Sequence, residues 1–358
     1  MSRIPAEFRL AKLAARLRRS FAARFGPRPT TYVGERVTEY RRYWEEGARL
    51  LGAEFVELRD DIWEVRLGGR RVRLANYQTP FDDPATRRLA GDKEYCYGLA
   101  RQAGVPVPDH LVVTPNDLDR VRGFLRDHPP PFVVKPARDS ASALGVTTHV
   151  KTWSDFIRAA AVASLHDVNI LIERMVPGES CRLLFLGGRL IHAVRRRGVR
   201  VTGDGRSTIA ELVGAAGRGA AVHGGDENSA FTMAGSGLRF DSVPAEGTSV
   251  LVRSLPPANG ETRELRTVYD EAVTAECGPE LVESLRRTVA ALGSEFAGID
   301  LITNDLGRSL QESGGTFLEI NTTPGIHHHY VSAGNREPEP VAKLVLAYLL
   351  QPSRAVRE

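Results

Sequence analysis

Cysteine is scarce and odd in number: Cys96, Cys181 and Cys277 are the only three in 358 residues. Residues so widely spaced define neither a disulfide framework nor a zinc knuckle, and a reducing, cytoplasmic setting is the simplest expectation. No run of about eighteen apolar residues occurs, so no transmembrane segment is expected. No apolar secretory segment with a small-residue cleavage site is visible at the start. A strong charge of one sign is also missing. The formal net charge is +4, and residues 1–28 carry eight Lys/Arg against Glu7, or +7, leaving −3 for the remainder. Basic character therefore belongs to one end, and nucleic-acid binding by the chain as a whole is not expected. What is present is ordinary globular composition, 42% hydrophobic and 26% charged, with room for two or three subdomains.

The basic end has its own pattern. Leu10, Leu13, Leu17, Phe21 and Phe25 recur at helical spacing with Arg and Lys between them, predicting an amphipathic helix over 4–25. Gly26-Pro27-Arg28-Pro29 reads as a linker, so the helix should be separable from the rest of the chain. Such a stripe can meet an anionic membrane, a nucleic acid or an acidic partner, or it can pack on its own protein or on a dimer partner. Packing is the expectation, because surface arginine is common on such helices.

Further along, residues 35–51 have helical character, and two strand-like runs flank Gly68-Gly69, a hairpin signal. Asp92 can cap a helix over Lys93–Ala103 that Gly104 ends. Asn116 is expected to start another, carrying Leu118, Val121, Phe124 and Leu125. Phe132-Val133-Val134-Lys135-Pro136 is an apolar strand ending in a lysine, and a loop of small residues, 138–145, comes next. Small residues let backbone N–H groups approach phosphate oxygens, but this loop holds a single glycine, Gly145, and is no Walker loop. Asn169 to Glu173 reads as a buried strand, and Leu183 to Val194 as a second hairpin around Gly187-Gly188. Arg195, Arg196 and Arg197 continue it, and could sit in water or hold an anionic substrate. Gly203-Asp204-Gly205 feeds a helix capped by Ser207 or Thr208.

The most chemical stretch is Phe317-Leu318-Glu319-Ile320-Asn321, a strand stopped by Pro324-Gly325. Glu319 and Asn321 are two apart and share a face of the strand. Just upstream, Phe296 to Ile302 is an apolar run broken by one acid, Asp300, a charge that is costly there unless paired or metal-bound. Two carboxylates and an amide oxygen suit a hard cation such as Mg²⁺.

Taken in order, Lys93, Val133-Val134-Lys135-Pro136, Ile172-Glu173-Arg174, the 201–208 segment, Gly298-Ile299-Asp300 and Glu319-Ile320-Asn321-Thr322-Thr323-Pro324-Gly325 resemble the ATP-grasp superfamily. The likeness is greatest to the ATP-grasp part of cyanophycin synthetase and related carboxylate–amine ligases. It covers roughly residues 90–330. The resemblance implies an α+β protein: an ATP-grasp region over 91–350, with a central lobe at about 109–175 and a C-terminal lobe at about 176–350. A small N-terminal α/β lobe over 29–90 would precede it, behind the basic helix and linker of 1–28. It implies ATP as cosubstrate, with Lys93 and Lys135 on its phosphates and the loop holding Ser140 and Gly145 folded over them. Ile172, Glu173, Arg174, Met175 and Val176 would line the adenine slot, and Glu179 or Ser180 would hold the ribose. Asp300, Glu319 and Asn321 would bind two Mg²⁺ ions, with Mn²⁺ a workable substitute. The reaction implied is phosphorylation of a carboxylate and displacement of phosphate by an amine, the substrates being amino acids or peptides, in a protein that could be a homodimer.

Some positions depart from the pattern. The D-alanine–D-alanine ligase branch has an arginine where Gly298 stands, so oxyanion stabilisation falls to Arg196, Arg253 or backbone N–H groups. Cyanophycin synthetase continues into a Mur-ligase-like domain that these 358 residues lack, so cyanophycin polymerisation is not expected. Two other readings keep the same residues: a phosphotransferase, and a nucleotide- or metal-binding protein that uses His327-His328-His329. Consecutive histidines on a strand would point to opposite faces, so joint chelation is not expected; the resemblance implies that His329 faces substrate and that the other two are structural or exposed.

Overall fold

The computed structural model describes residues 4–25, 32–138, 145–196, 198–215, 227–253, 271–330 and 340–351. The chain divides into two compact units, each assembled from separated segments. One holds residues 1–29, 108–176 and 197–267, and the other holds 30–107, 177–196 and 268–358.

In the first unit, four antiparallel strands run in the order His110–Val113, Ile170–Arg174, Phe132–Pro136, Thr147–Val150. Their apolar faces bury Phe132, Val134, Ile170 and Ile172 against Phe156 and Ala160 of the helix Trp153–Ala163 and Val121 of the helix Asp119–Asp127. The latter helix begins three residues later than the sequence suggested. Asn116 sits instead in a turn where the Thr114 hydroxyl donates to Asp117 at 2.8 Å. The rest of this unit pairs Val199–Thr202 with Ser249–Arg253, and covers them with the helices Ile209–Ala215 and Glu227–Gly235. Thr208 and Glu211 cap the former reciprocally, each side chain bonding the other's backbone N–H.

The N-terminal helix, Ala6–Phe25, belongs to this unit, and it packs by an unexpected face. Phe8 is buried in the core with Ala11 beside it, and the Lys12 ammonium donates to the Ser164 carbonyl at 3.3 Å. Leu10, Leu13, Leu17 and Phe21, the stripe expected to be covered, are 69, 55, 62 and 66% exposed. Small residues explain the choice. Ala11 and Ala15 are half-buried in a helix that packs on the alanine-rich Trp153–Ala163, and small side chains let two helices approach closely. The helix is therefore no separable appendage.

In the second unit, the strands Glu54–Arg59, Ile62–Leu67 and Arg70–Ala75 form a meander. A five-stranded antiparallel sheet runs in the order Glu271–Ala272, Arg189–Arg196, Glu179–Leu186, Phe296–Thr303, Thr316–Thr322. Trp44, Tyr40 and Tyr43 of the helix Tyr32–Leu51 pack with Trp63, Phe296, Val345 and Leu346. Gly187 and Gly188 close the central hairpin with φ of +56° and +76°, values that a tight two-residue turn needs at both positions and that disfavour other residues. The cysteines stay thiols. Burial pushes Cys96 and Cys181 up to about 12. Among the described residues no helix is long and apolar enough to cross a membrane.

Candidate active site

One face of the five-stranded sheet gathers charge. Antiparallel register sets Asp300 opposite Glu319 on one neighbour and opposite Arg182 on the other, and sets Ser180 opposite Arg196. Period-two alternation then brings Ser180, Arg182, Arg196, Gly298, Asp300, Glu319 and Asn321 to the same side. The opposite side carries Leu183, Ile299, Leu301 and Ile320, all buried. Alternation thus aims these seven residues one way, while Glu179 and Arg195 pair on the other side.

Asp300 is the hub. Arg182 grips it through two parallel hydrogen bonds of 2.6 Å, and Arg196 adds a third contact at 3.0 Å. Burial alone would raise the Asp300 carboxyl, but the Arg182 and Arg196 charges overcome it and hold it well below the usual carboxylate range. Glu319 behaves oppositely. Burial raises its carboxyl and the Asp300 charge raises it further, with Lys93 and Arg182 pulling only partly back. Asn321 donates to Glu319 Oε1 at 3.1 Å. The site therefore keeps one carboxylate ionised and favours a proton on the other. Two crowded carboxylates and an amide oxygen are the donor set of a hard divalent cation, and a cation would relieve the repulsion between Asp300 and Glu319. The donors fit Mg²⁺ on that ground.

Arg182 had no role among the residues expected from the sequence. Its side chain crosses the strand above Gly298. A Cβ built on that glycine would lie 3.8 Å from Arg182 Cδ and 3.9 Å from Nε, and 3.0 Å from Pro324 Cβ. A guanidinium arriving from the neighbouring strand thus fills the space that a side chain at 298 would enter. The signal was in the sequence: a lone charge inside Cys181-Arg182-Leu183-Leu184 needs a partner as much as Asp300 does inside its own run.

The other expected residues fall in several places. Lys93 opens the helix Lys93–Gln102, capped by Asp92, whose side chain accepts from the Tyr95 N–H at 3.1 Å, and its buried ammonium acts on Glu319. Arg196 Nη2 donates to the Ser180 hydroxyl at 3.2 Å, and its buried Nε makes no hydrogen bond. Arg195 is committed elsewhere, to Glu179 at 2.9 Å, Glu271 at 3.1 Å and Glu276, so its guanidinium is a poor anchor for a substrate carboxylate. Arg253 is buried in the first unit, on the strand Ser249–Arg253, and does not share the sheet face of Arg196. In that unit Lys135 donates to Glu173 Oε1 at 2.7 Å, both side chains being buried. The backbone N–H of Arg174 bonds the Asp109 carbonyl and that of Met175 the Pro131 carbonyl, each at 2.9 Å. The chain passes from the first unit to the second after Val176. Gly145 has a φ of +75°, and Ser140 and Arg197 lie outside the described residues.

The histidine run is a 3₁₀ turn, Ile326–His329, and not a strand, so successive rings fan about the axis instead of alternating. All three histidines are buried. The Tyr40 hydroxyl lies 2.6 Å from His327 Nδ1, and His192 Nδ1 lies 2.8 Å from His329 Nδ1. His329 is fully buried beside His192. No cluster of three or more His, Cys, Asp or Glu residues among the described ones could hold a metal, which gives the rival reading of this run as a chelating site no support.

No family model matches the chain. Cyanophycin synthetase of Trichormus variabilis is 30% identical over 272 residues, covering 73% of this chain and 29% of that protein. Cyanophycin synthetase of Crocosphaera subtropica is 28% identical over 352 residues, covering 94% of this chain and 38% of that one. In structure, a bifunctional glutathione synthetase from Pasteurella multocida superposes with a TM-score of 0.54 at 19% identity, over 87% of this chain and 43% of that chain. The fold is that of the ATP-grasp ligases. The chain belongs to the ATP-grasp superfamily, and within it is similar to the cyanophycin synthetases, of whose length it spans about a third.

Proposed function

We propose that this chain is an ATP-dependent carboxylate–amine ligase, joining an amino acid or short peptide to an amine through an acyl phosphate, with ADP and phosphate released. The observation that carries the reading is the charged sheet face: Asp300 ionised between Arg182 and Arg196, and Glu319 and Asn321 directly beside it. Such chemistry needs positioning and charge neutralisation more than covalent participation by the protein. The similarity to cyanophycin synthetases, partial in length, supports the same class.

In this reading Asp300, Glu319 and Asn321 hold Mg²⁺, as two ions, and Lys93 lies on the phosphate side of the same face. The metal, when bound, neutralises phosphate charge and makes the phosphoryl group easier to transfer. Glu319, whose carboxyl is pushed up by burial and by Asp300, would hold the cation as its carboxylate. Arg196, half-buried with an unbonded Nε, points a donor at an incoming oxyanion, and Arg182 keeps the Asp300 carboxylate and the Arg196 head in place. Lys135 and Glu173, with residues 172–176, are assigned to the nucleotide. The test is a phosphate-release screen of the purified protein with ATP, Mg²⁺ and pairs of amino acids, with mass spectrometry of the products. The expected result is a condensed product equimolar with ADP. ADP formation that needs no amine and yields no condensed product would select a phosphotransferase instead.

A further inference from the structure

The helix Ala6–Phe25 keeps four large apolar side chains outside. Leu10, Leu13 and Leu17 are each more than half exposed, with Phe21 continuing the line. At 3.6 residues per turn Leu10, Leu17 and Phe21 fall on one line with Leu13 beside it, while Arg9 and Arg16 flank one side and Arg18 the other. The face that holds the helix to its own unit is the opposite one, built from Phe8, Ala11 and Lys12. The helix carries six basic residues and one acid, Glu7. That acid is taken up by its own unit: Glu7 Oε1 accepts from Trp153 Nε1 at 2.7 Å and lies 3.8 Å from Arg122. The outward face therefore shows leucine edged by arginine, without a competing carboxylate.

We propose that this face is a docking surface for an anionic lipid bilayer, with the helix lying in the plane of the headgroups and its leucines entering the acyl boundary. An interfacial helix needs this combination, a narrow apolar stripe with cations along its edges. Twenty residues give a contact about 30 Å long. A second copy of the chain fits less well. A two-fold contact sets the same face against itself, and the rows of arginine would then oppose one another. An anionic surface instead attracts every cation on the flanks. The inference does not depend on the ligase reading, since no residue of the charged sheet face takes part.

The test is flotation of the full chain with vesicles of phosphatidylcholine alone and of phosphatidylcholine mixed with phosphatidylserine. Binding is expected only to the mixed vesicles, and it should fall with added salt. Leu10→Asp together with Leu17→Asp should weaken it by about tenfold or more, without lowering the melting temperature, because both positions are exposed. Arg9→Gln with Arg16→Gln should weaken it and flatten its salt dependence. Equal binding to neutral vesicles would overturn the proposal, as would absence of flotation at low salt. So would a concentration-dependent dimer that Leu17→Asp abolishes, or retention on duplex DNA without flotation.

Discussion

The two units each bury an ionic cluster, and the clusters are built differently. In the first, Lys135 and Glu173 form one cation–anion pair at 2.7 Å. In the second, Asp300 answers two guanidiniums while Glu319, alongside it, leans toward its protonated form. A matched pair is electrostatically closed. The second cluster is open, because burial and the Asp300 charge push the Glu319 carboxyl up, a repulsion that a divalent cation could relieve. Burial is similar in the two places, so the number and arrangement of charges distinguishes a pair that can be structural from a site poised for a metal.

Substitutions can break this contrast at its strongest point. Glu319→Gln copies the protonated state, so the protein should remain as stable as the parent while ADP formation falls by about a hundredfold or more. Asp300→Asn should lose turnover to a similar degree and also unfold more easily, by about 3–5 kcal/mol, because the buried Arg182 and the half-buried Arg196 lose their counter-ion. Steady-state ADP assays beside urea titrations separate the two cases, and equal stability losses would show that the carboxylates are interchangeable. Arg182→Lys should fail to restore what Arg182→Ala removes, since an ammonium cannot reproduce two parallel hydrogen bonds to Asp300.

The closed pair predicts a different pattern. Lys135→Ala should cost about 3–5 kcal/mol by removing the cation paired with the buried Glu173, and adding Glu173→Gln should recover most of it. If Lys135 also serves the nucleotide, as proposed, the double variant will be stable and still bind ATP about tenfold more weakly, by calorimetry. Unchanged ATP affinity would make the pair purely structural.

A separate effect concerns pH. Burial lowers the His192 imidazole from its ordinary 6.5 to about 4. A base held neutral in the fold contributes stability that is complete above its unfolded value and is lost as pH falls. The loss should run from about pH 6.5 down to about 4 and reach roughly 3 kcal/mol. His192→Asn should flatten that part of the stability profile, and an unaltered profile would place the acid sensitivity elsewhere.

Much of the molecule was legible in the chain because the signals are local. Gly68-Gly69 and Gly187-Gly188 mark hairpins that form where expected, with positive φ at all four positions. Asp300, Glu319 and Asn321 share a face because strand alternation and register demand it. Three features were not legible, each for a physical reason. Arg182 reaches Asp300 from a strand 118 residues away in sequence, so only cross-strand register reveals the pairing. The N-terminal helix buries its small residues and exposes its leucines, and periodicity marks a stripe without saying whether the protein or something else covers it. The histidines fell on a 3₁₀ turn after Pro324-Gly325, where alternation no longer applies.

The central claim is that the charged sheet face activates a carboxylate as an acyl phosphate. It is tested most directly by supplying ATP, Mg²⁺ and a carboxylate that supports turnover, with hydroxylamine replacing the amine. The account predicts a hydroxamate formed in step with ADP, absent without ATP and absent in Glu319→Gln. ADP appearing at full rate with the amine alone, with no hydroxamate from any carboxylate that supports turnover, would contradict it.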